Sequence, residues 1–259
     1  MTQRLFLVTN DDGVYAEGIR ELALGLVKHG RVVICAPEVE QSGKGHAITV
    51  YRPLRATKLD VQEGIEARYM VNGTPADCVK WVLQELELEP DLVVSGINLG
   101  ANLGTDVRYS GTVSAAFEGA IQGFPAAAVS LCGSREYMDT AAAFGIQVLL
   151  DNRIQWTPRT LLNINVPALP MERVQGIRAT SLSMRVYEDA FEKRQDPRGR
   201  HYFWLAGRPV VVDSQDDQDY HAVSQGFVSV SPLLLDLTDR QALTVLEKLF
   251  LQDDQTGRD

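Results

Sequence analysis

Short runs of apolar, β-branched residues alternate with segments of helical spacing from residue 4 to about residue 166, and that alternation most constrains the fold. Residues 4–9 (RLFLVT), 31–36 (RVVICA), 91–95 (DLVVS), 126–131 (AAAVSL) and 161–166 (LLNINV) read as strands. Between the first two, Ile19, Leu22, Leu26 and Val27 recur at helical spacing until Gly30 offers a C-terminal cap. Asn72-Gly73 marks a turn, after which Thr74 caps and Pro75 opens a helix that buries Val79, Val82, Leu83 and Leu86. The stretch 137–152 is a further helix. Strands joined by crossover helices stack into a parallel sheet covered on both faces, so the predicted class is α/β, a three-layer α/β/α sandwich.

Beyond about Pro170 the alternation stops and polar, charged and aromatic residues mix. The chain is read as one domain, 1–259, with a core of about 1–170 and an excursion from the sheet over about 171–259. Residues 201–205 (HYFWL) and 209–212 (PVVV) flank Ala206-Gly207-Arg208 like the arms of a β-hairpin. From about Asp239 to Leu251, Leu243, Leu246, Phe250 and Leu251 follow helical spacing. An apolar helix of that kind docks readily on a second subunit, so a homodimer or homotetramer is expected.

The formal charge of −9 and pI near 5.0 argue against a general basic field for nucleic acid or anionic membrane. A small anionic substrate remains compatible if a bound cation supplies local positive charge. Cys35, Cys78 and Cys132 are odd in number, far apart and set among apolar neighbours, a pattern of buried free thiols. The run Leu5-Phe6-Leu7-Val8 is too short for a signal peptide or a membrane span. A cytoplasmic protein is expected.

In a parallel α/β sheet, ligands bind beyond the carboxyl ends of the strands. Asn10-Asp11-Asp12-Gly13 follows the first strand directly. Two adjacent carboxylates at an apolar sheet edge repel each other unless a cation or donors compensate, and a hard divalent ion is the simplest compensation; an Asx-rich turn is the plainer alternative. Ser95-Gly96-Ile97-Asn98-Leu99-Gly100-Ala101-Asn102-Leu103-Gly104 follows the strand 91–95 and offers amide oxygens, with Asn98 a candidate ligand of the same ion. Its glycine spacing is not the dinucleotide fingerprint. Tyr109-Ser110-Gly111-Thr112 opens an Ala-rich helix whose free N–H groups and hydroxyls favour an anion, or simply a cap. The loop Gln41-Ser42-Gly43-Lys44-Gly45-His46 fails the P-loop pattern and instead offers Ser42 to a metal or substrate.

Taken in order, TNDDGVYAEGI (9–19), SGKGHAIT (42–49), NGTPADCVK (72–80), SGINLGANLG (95–104), YSGTVSAA (109–116), NINVP (163–167) and HAVSQGFVSVSPLLLDLT (221–238) resemble the SurE family of survival-protein nucleotidases across nearly the whole chain. The resemblance implies a Rossmann-like core with a C-terminal extension used in oligomerisation, and a metal-dependent phosphohydrolase acting on nucleoside 5′-monophosphates. It implies one divalent cation, Mg²⁺ or Mn²⁺, held by Asp11, Asp12, Ser42 and Asn98, with Asp11 and Asp12 catalytic. Phosphate binding maps onto Asn102, Ser110, Gly111 and Thr112. Glu17 stands where Pro is often found.

Asp11 or Asp12 either orients a water or attacks phosphorus itself, and the sequence leaves both open. His46 and His221 are candidate acids for the leaving alkoxide, each with a structural role as the alternative. Tyr109, Tyr187 and Trp204 are candidates for stacking on a base. A dehydrogenase lacks the glycine fingerprint; a non-catalytic nucleotide sensor, or activity towards 3′-nucleotides or polyphosphate, stays open.

Overall fold

The computed structural model describes residues 3–61, 64–188, 191–212 and 215–256. In chain order the strands and helices are β1 (Leu5–Thr9), α1 (Glu17–Leu26), β2 (Arg31–Pro37), β3 (Ala56–Leu59), β4 (Ala67–Val71), α2 (Pro75–Glu85), β5 (Leu92–Leu99), α3 (Gly111–Ile121), β6 (Ala126–Cys132), α4 (Met138–Leu149), β7 (Leu161–Pro167), β8 (Ile177–Ala179), β9 (Met184–Glu188), β10 (Phe191–Gln195), β11 (His201–Leu205), β12 (Arg208–Val212), α5 (Asp219–Ser224), β13 (Val228–Pro232) and α6 (Arg240–Thr256).

Among the described residues, nine strands form one sheet in the order β3-β4-β2-β1-β5-β6-β7-β13-β8. The six strands from β4 to β7 in that order are mutually parallel, and β3 and β13 pair antiparallel at the two sides. α1 and α4 cover one face around Ile19, Leu22, Leu26, Met138 and Leu149. α2 and α3 cover the other around Cys78, Val79, Val82, Val113 and Ala116. The strands are buried on both faces, which is why they read as continuous apolar runs rather than as alternating ones. The three-layer α/β/α sandwich with a mainly parallel sheet is therefore the observed architecture.

Thr74 and Pro75 open α2 as the sequence predicts. The Thr74 hydroxyl accepts from the Asp77 N–H at 3.1 Å and the Asp77 carboxylate accepts from the Thr74 N–H at 2.8 Å, a closed capping box. β5 runs further than predicted, to Leu99, because its pairing with β6 shifts register between Ser95 and Asn98. Gly96 sits at that shift with φ +138°, and a Cβ there would lie 2.3 Å from the Val129 carbonyl oxygen. Residues 96–99, expected as loop, thus belong to a bulged strand.

Two expectations for the C-terminal part change. First, β8 and β13 return to the sheet, β13 beside β7, so residues 171–259 do not all stand apart from it. Second, residues 201–205 and 209–212 do not pair with each other. β11 pairs with β10 and β12 with β9; these two antiparallel pairs form an arm, and the turn between β10 and β11 is Asp196-Pro197-Arg198-Gly199-Arg200. The Asp196 carboxylate accepts from the N–H groups of Arg198 and Arg200 and so closes that turn locally. α6 is helical as expected, with Val245, Leu246, Leu249 and Phe250 exposed. No described helix is long and apolar enough to cross a membrane.

Candidate active site

β1 is flanked by β2 on one side and β5 on the other, so the chain leaves the sheet in opposite directions beside it. The crevice at such a switch point is where an open α/β sheet binds its ligand. Asp11 and Asp12 follow the end of β1 there, Asn98 lies at the end of β5, and the N-terminus of α3 faces Asp11. A cleft of about 610 Å³ opens at this edge, lined by Asp11, Ser42, Asn98, Asn102, Tyr109 and Ser110 among others. Six of the eight predicted site residues therefore lie on or beside one feature of the surface, and Gly111 and Thr112 support Asp11 from behind.

Asp11 is 3% exposed. Its carboxylate accepts from the Thr112 hydroxyl and lies close to the start of α3. Gly111 is what permits that approach: a Cβ there would fall 2.7 Å from the Asp11 Cβ and 2.8 Å from its Oδ2. Burial pushes the Asp11 carboxyl above its ordinary range, against the Thr112 hydrogen bond that draws it down. Asp12, partly exposed, is raised to about 6, by burial first and then by the negative charges of Asp11 and Glu40. Two carboxylates in this state have too little compensating positive charge, and a cation is the group that would supply it.

The donor set suits a hard ion. It offers carboxylate oxygens from Asp11 and Asp12, a hydroxyl from Ser42 and an amide from Asn98, whose Nδ2 donates to the Gly100 carbonyl at 2.8 Å and leaves Oδ1 as the outward acceptor. Ser42 currently donates to Glu40 at 2.8 Å. Among the described residues no group of three or more His, Cys, Asp or Glu side chains gathers as a metal cluster.

Around the cleft, Asn102 is 6% exposed and firmly held. Its N–H donates to Asn165 Oδ1 at 2.9 Å, its carbonyl accepts from Asn163 and Asn165, and its side-chain Nδ2 meets Ser130 Oγ at 2.8 Å. Nδ2 carries a second hydrogen, which can donate to a phosphate oxygen while the first stays on Ser130. Ser110 caps α3 by accepting from the Val113 N–H at 3.1 Å, which leaves its own hydroxyl hydrogen available. Thr112 is engaged by Asp11 instead, so the first turn of α3 serves the carboxylate as well as any anion.

The two histidines are not in the cleft lining. His46 Nε2 lies 2.9 Å from Glu118 Oε2, and His221 Nε2 lies 3.5 Å from Asp216 on the far part of the chain. Of the aromatic candidates, Tyr109 lines the cleft and is 66% exposed, Trp204 is exposed on the arm outside the lining, and the Tyr187 side chain lies outside the described residues.

Sequence reasoning missed Glu40, whose charge reaches both aspartates, and the arm, which brings Leu205 and Gly207 to the cleft wall. Glu40 lies within three residues of Pro37 at the end of β2, and that strand-end position was its available signal. The arm is anchored by Arg185, which pairs with Asp106 on the cleft wall through side chains 9% and 13% exposed. No local pattern announces a contact 79 residues apart.

The chain is similar to known proteins over most of its length. The profile of the survival protein SurE family matches residues 6–189. A protein of Thermosipho africanus named 5′-nucleotidase SurE is 48% identical over 255 residues, covering 97% of this chain and 99% of that one. One of the same name from Moorella thermoacetica is 50% identical over 238 residues, covering 91% and 92%. The crystal structure of the SurE protein from Aquifex aeolicus superposes with a TM-score of 0.81 at 38% identity, over 95% of this chain and 99% of that one. With the profile spanning most of the chain and relatives of near-equal length sharing about half its residues, this chain belongs to the survival protein SurE family.

Proposed function

We propose that the chain is a divalent-metal-dependent phosphomonoesterase that hydrolyses nucleoside 5′-monophosphates to nucleoside and phosphate. The observation that carries this reading is the adjacent pair Asp11–Asp12 at the switch point of the sheet, with Asp11 lining a cleft beside the neutral oxygen donors Ser42 and Asn98. The relatives named 5′-nucleotidase supply the substrate class.

Asp11, Asp12, Ser42 and Asn98 would hold one ion, Mg²⁺ or Mn²⁺, which when bound supplies Lewis-acid polarisation of the phosphoryl group. Thr112 fixes the Asp11 carboxylate, so one catalytic oxygen is oriented before substrate arrives. The Ser110 hydroxyl and the Asn102 amide face the cleft as donors to phosphoryl oxygens, and the Gly111 backbone brings the positive end of α3 to the same place. Tyr109 and Leu205 form an apolar rim suited to the face of a base. His46 and His221, away from the lining, are not assigned the proton of the leaving group.

Self-association through the exposed apolar side chains of α6 belongs to the same proposal, as a homodimer or homotetramer. So does a cytoplasmic setting, which the three free thiols suit.

The test is phosphate release from 5′- and 3′-nucleoside monophosphates and short polyphosphate, using chelator-treated protein with Mg²⁺ or Mn²⁺ restored separately. Release from 5′-monophosphates that returns only with metal is the expected result. Equal rates with chelator present, or no release from any of them, would refute it.

A further inference from the structure

The segment that carries Ser42 runs between β2 and β3 without a strand or helix of its own, yet it is tied down along its length. The Gln41 N–H donates to the Asp11 carbonyl at 2.7 Å and the Gly45 N–H to the Tyr109 carbonyl at 3.0 Å. The capping box of α2 contributes twice. The Thr74 hydroxyl donates to the Ala47 carbonyl at 2.7 Å, and the Asp77 carboxylate accepts from the Thr49 N–H at 3.0 Å.

One further tie is made by a side chain of the loop itself. His46 Nε2 lies 2.9 Å from Oε2 of Glu118, a residue on α3 whose side chain is only 5% exposed. The other Glu118 oxygen accepts from Gln122 at 2.7 Å and has Lys80 Nζ 3.7 Å away. Burial alone would raise the Glu118 carboxyl, but the His46 and Gln122 hydrogen bonds and the Lys80 charge bring it below the ordinary range. Among the described residues of 41–50, His46 is the side chain that bonds outside the loop.

Glu118 stands seven residues after Gly111, two helical turns along α3 and about 10 Å further down the same face. The helix that supports Asp11 at its first turn therefore holds the Ser42 loop at its third. We propose that His46 is a positioning residue: by bonding Glu118 it clamps the Ser42 loop to α3 and so sets the distance between Ser42 and the Asp11–Asp12 pair. The idea rests on the metal-site reading given above, but it assigns His46 a role that does not touch substrate.

Three full-length proteins test it: the unaltered chain, His46→Ala and His46→Gln, whose Nε2 reaches the point occupied by the imidazole Nε2. Each is stripped with chelator, titrated calorimetrically with Mn²⁺, and followed by amide hydrogen exchange over residues 41–50 without substrate. For His46→Ala we expect Mn²⁺ affinity to fall by roughly 10-fold, the scale on which outer supports of a metal site act. Exchange at Gly45 and Thr49 should speed up, and KM should rise while kcat at saturating metal is retained. His46→Gln should restore all three.

Mn²⁺ affinity and exchange in His46→Ala equal to those of the unaltered chain overturn the clamp. A loss that His46→Gln does not reverse overturns it too, since the hydrogen bond is then not what matters. If the unaltered chain hydrolyses no nucleotide, the functional reading fails on its own, while the metal titration and the exchange still decide the clamp.

Discussion

Replacing Asp12 with Asn removes one negative charge from a site where burial and the charges of Asp11 and Glu40 outweigh the Arg135 cation, while keeping the size and shape of the side chain. Asp12 titrates near 6 in the fold against 3.8 as an ordinary carboxyl. The unfolded chain therefore releases this proton from about pH 3.8, whereas the folded chain keeps it until about 6. Because the folded state binds the extra proton in that window, metal-free stability falls as pH rises through it and stays lower above it. The gap of about 2 pH units corresponds to about 3 kcal/mol. Asp12 is partly exposed, and solvent screening reduces this to roughly 1–2 kcal/mol.

At pH 8 without metal, Asp12→Asn should thus be more stable than the unaltered chain by roughly 1–2 kcal/mol, or some 2–6 °C in Tm for a chain of this size. At pH 4 the two should nearly coincide. Adding Mn²⁺ should raise the Tm of the unaltered chain and leave the variant almost unmoved, and nucleotide turnover by the variant should be lost. Scanning calorimetry at both pH values, with chelator and then with Mn²⁺, measures each of these. A metal-free variant at pH 8 no more stable than the unaltered chain would show that Asp12 is not destabilised by its surroundings, and a Mn²⁺ shift of equal size in both would show that it is not a ligand.

Gly111→Ala places a Cβ 2.7–2.8 Å from Asp11, so the carboxylate must move; kcat should drop by roughly 100-fold, the scale of a 1 Å misplacement, with stability lowered by about 1–3 kcal/mol in urea unfolding. Arg185→Leu breaks the buried pair with Asp106 and should cost roughly 3 kcal/mol while raising KM for nucleotides, and a loss under about 1 kcal/mol would refute the anchoring role. If the chain self-associates through α6 as proposed, Leu246→Glu combined with Phe250→Glu should lower the mass by light scattering without loss of helical signal, and an unchanged mass would refute that role of α6.

The core strands were legible because burial on both faces leaves continuous apolar runs, and the start of α2 because Thr74-Pro75 names its own cap. β3 and β4 were not, since ATKL and ARYMV at the edge of a sheet mix polar with apolar residues. β13 hid for a different reason. Ser229 and Ser231 are buried, and both meet the Thr180 hydroxyl at 2.8 Å, so an interior strand reads as a polar one. The arm was misread because Ala206-Gly207-Arg208 resembles a tight turn. Asp196-Pro197-Arg198-Gly199, with Asp first, Pro second and Gly fourth, carried the stronger turn signal. Within the site, adjacency made Asp11 and Asp12 visible, whereas Thr112 meets Asp11 across 101 residues and only the packing of α3 reveals why a hydroxyl stands there.

The division of labour around the cleft has an evolutionary side. Every proposed metal-binding and phosphate-binding residue falls between 11 and 112, while Leu205 and Gly207 of the cleft lining arrive on an arm that joins this region through Arg185 and Asp106. On the proposed reading, the reacting centre lies in one stretch of chain, while the rim proposed for the leaving group combines Tyr109 of that stretch with Leu205 of the arm. Substitutions along the arm can accumulate in a lineage, or in a designed library, and retune which alcohol is accepted while the phosphoryl end of the site is inherited unchanged.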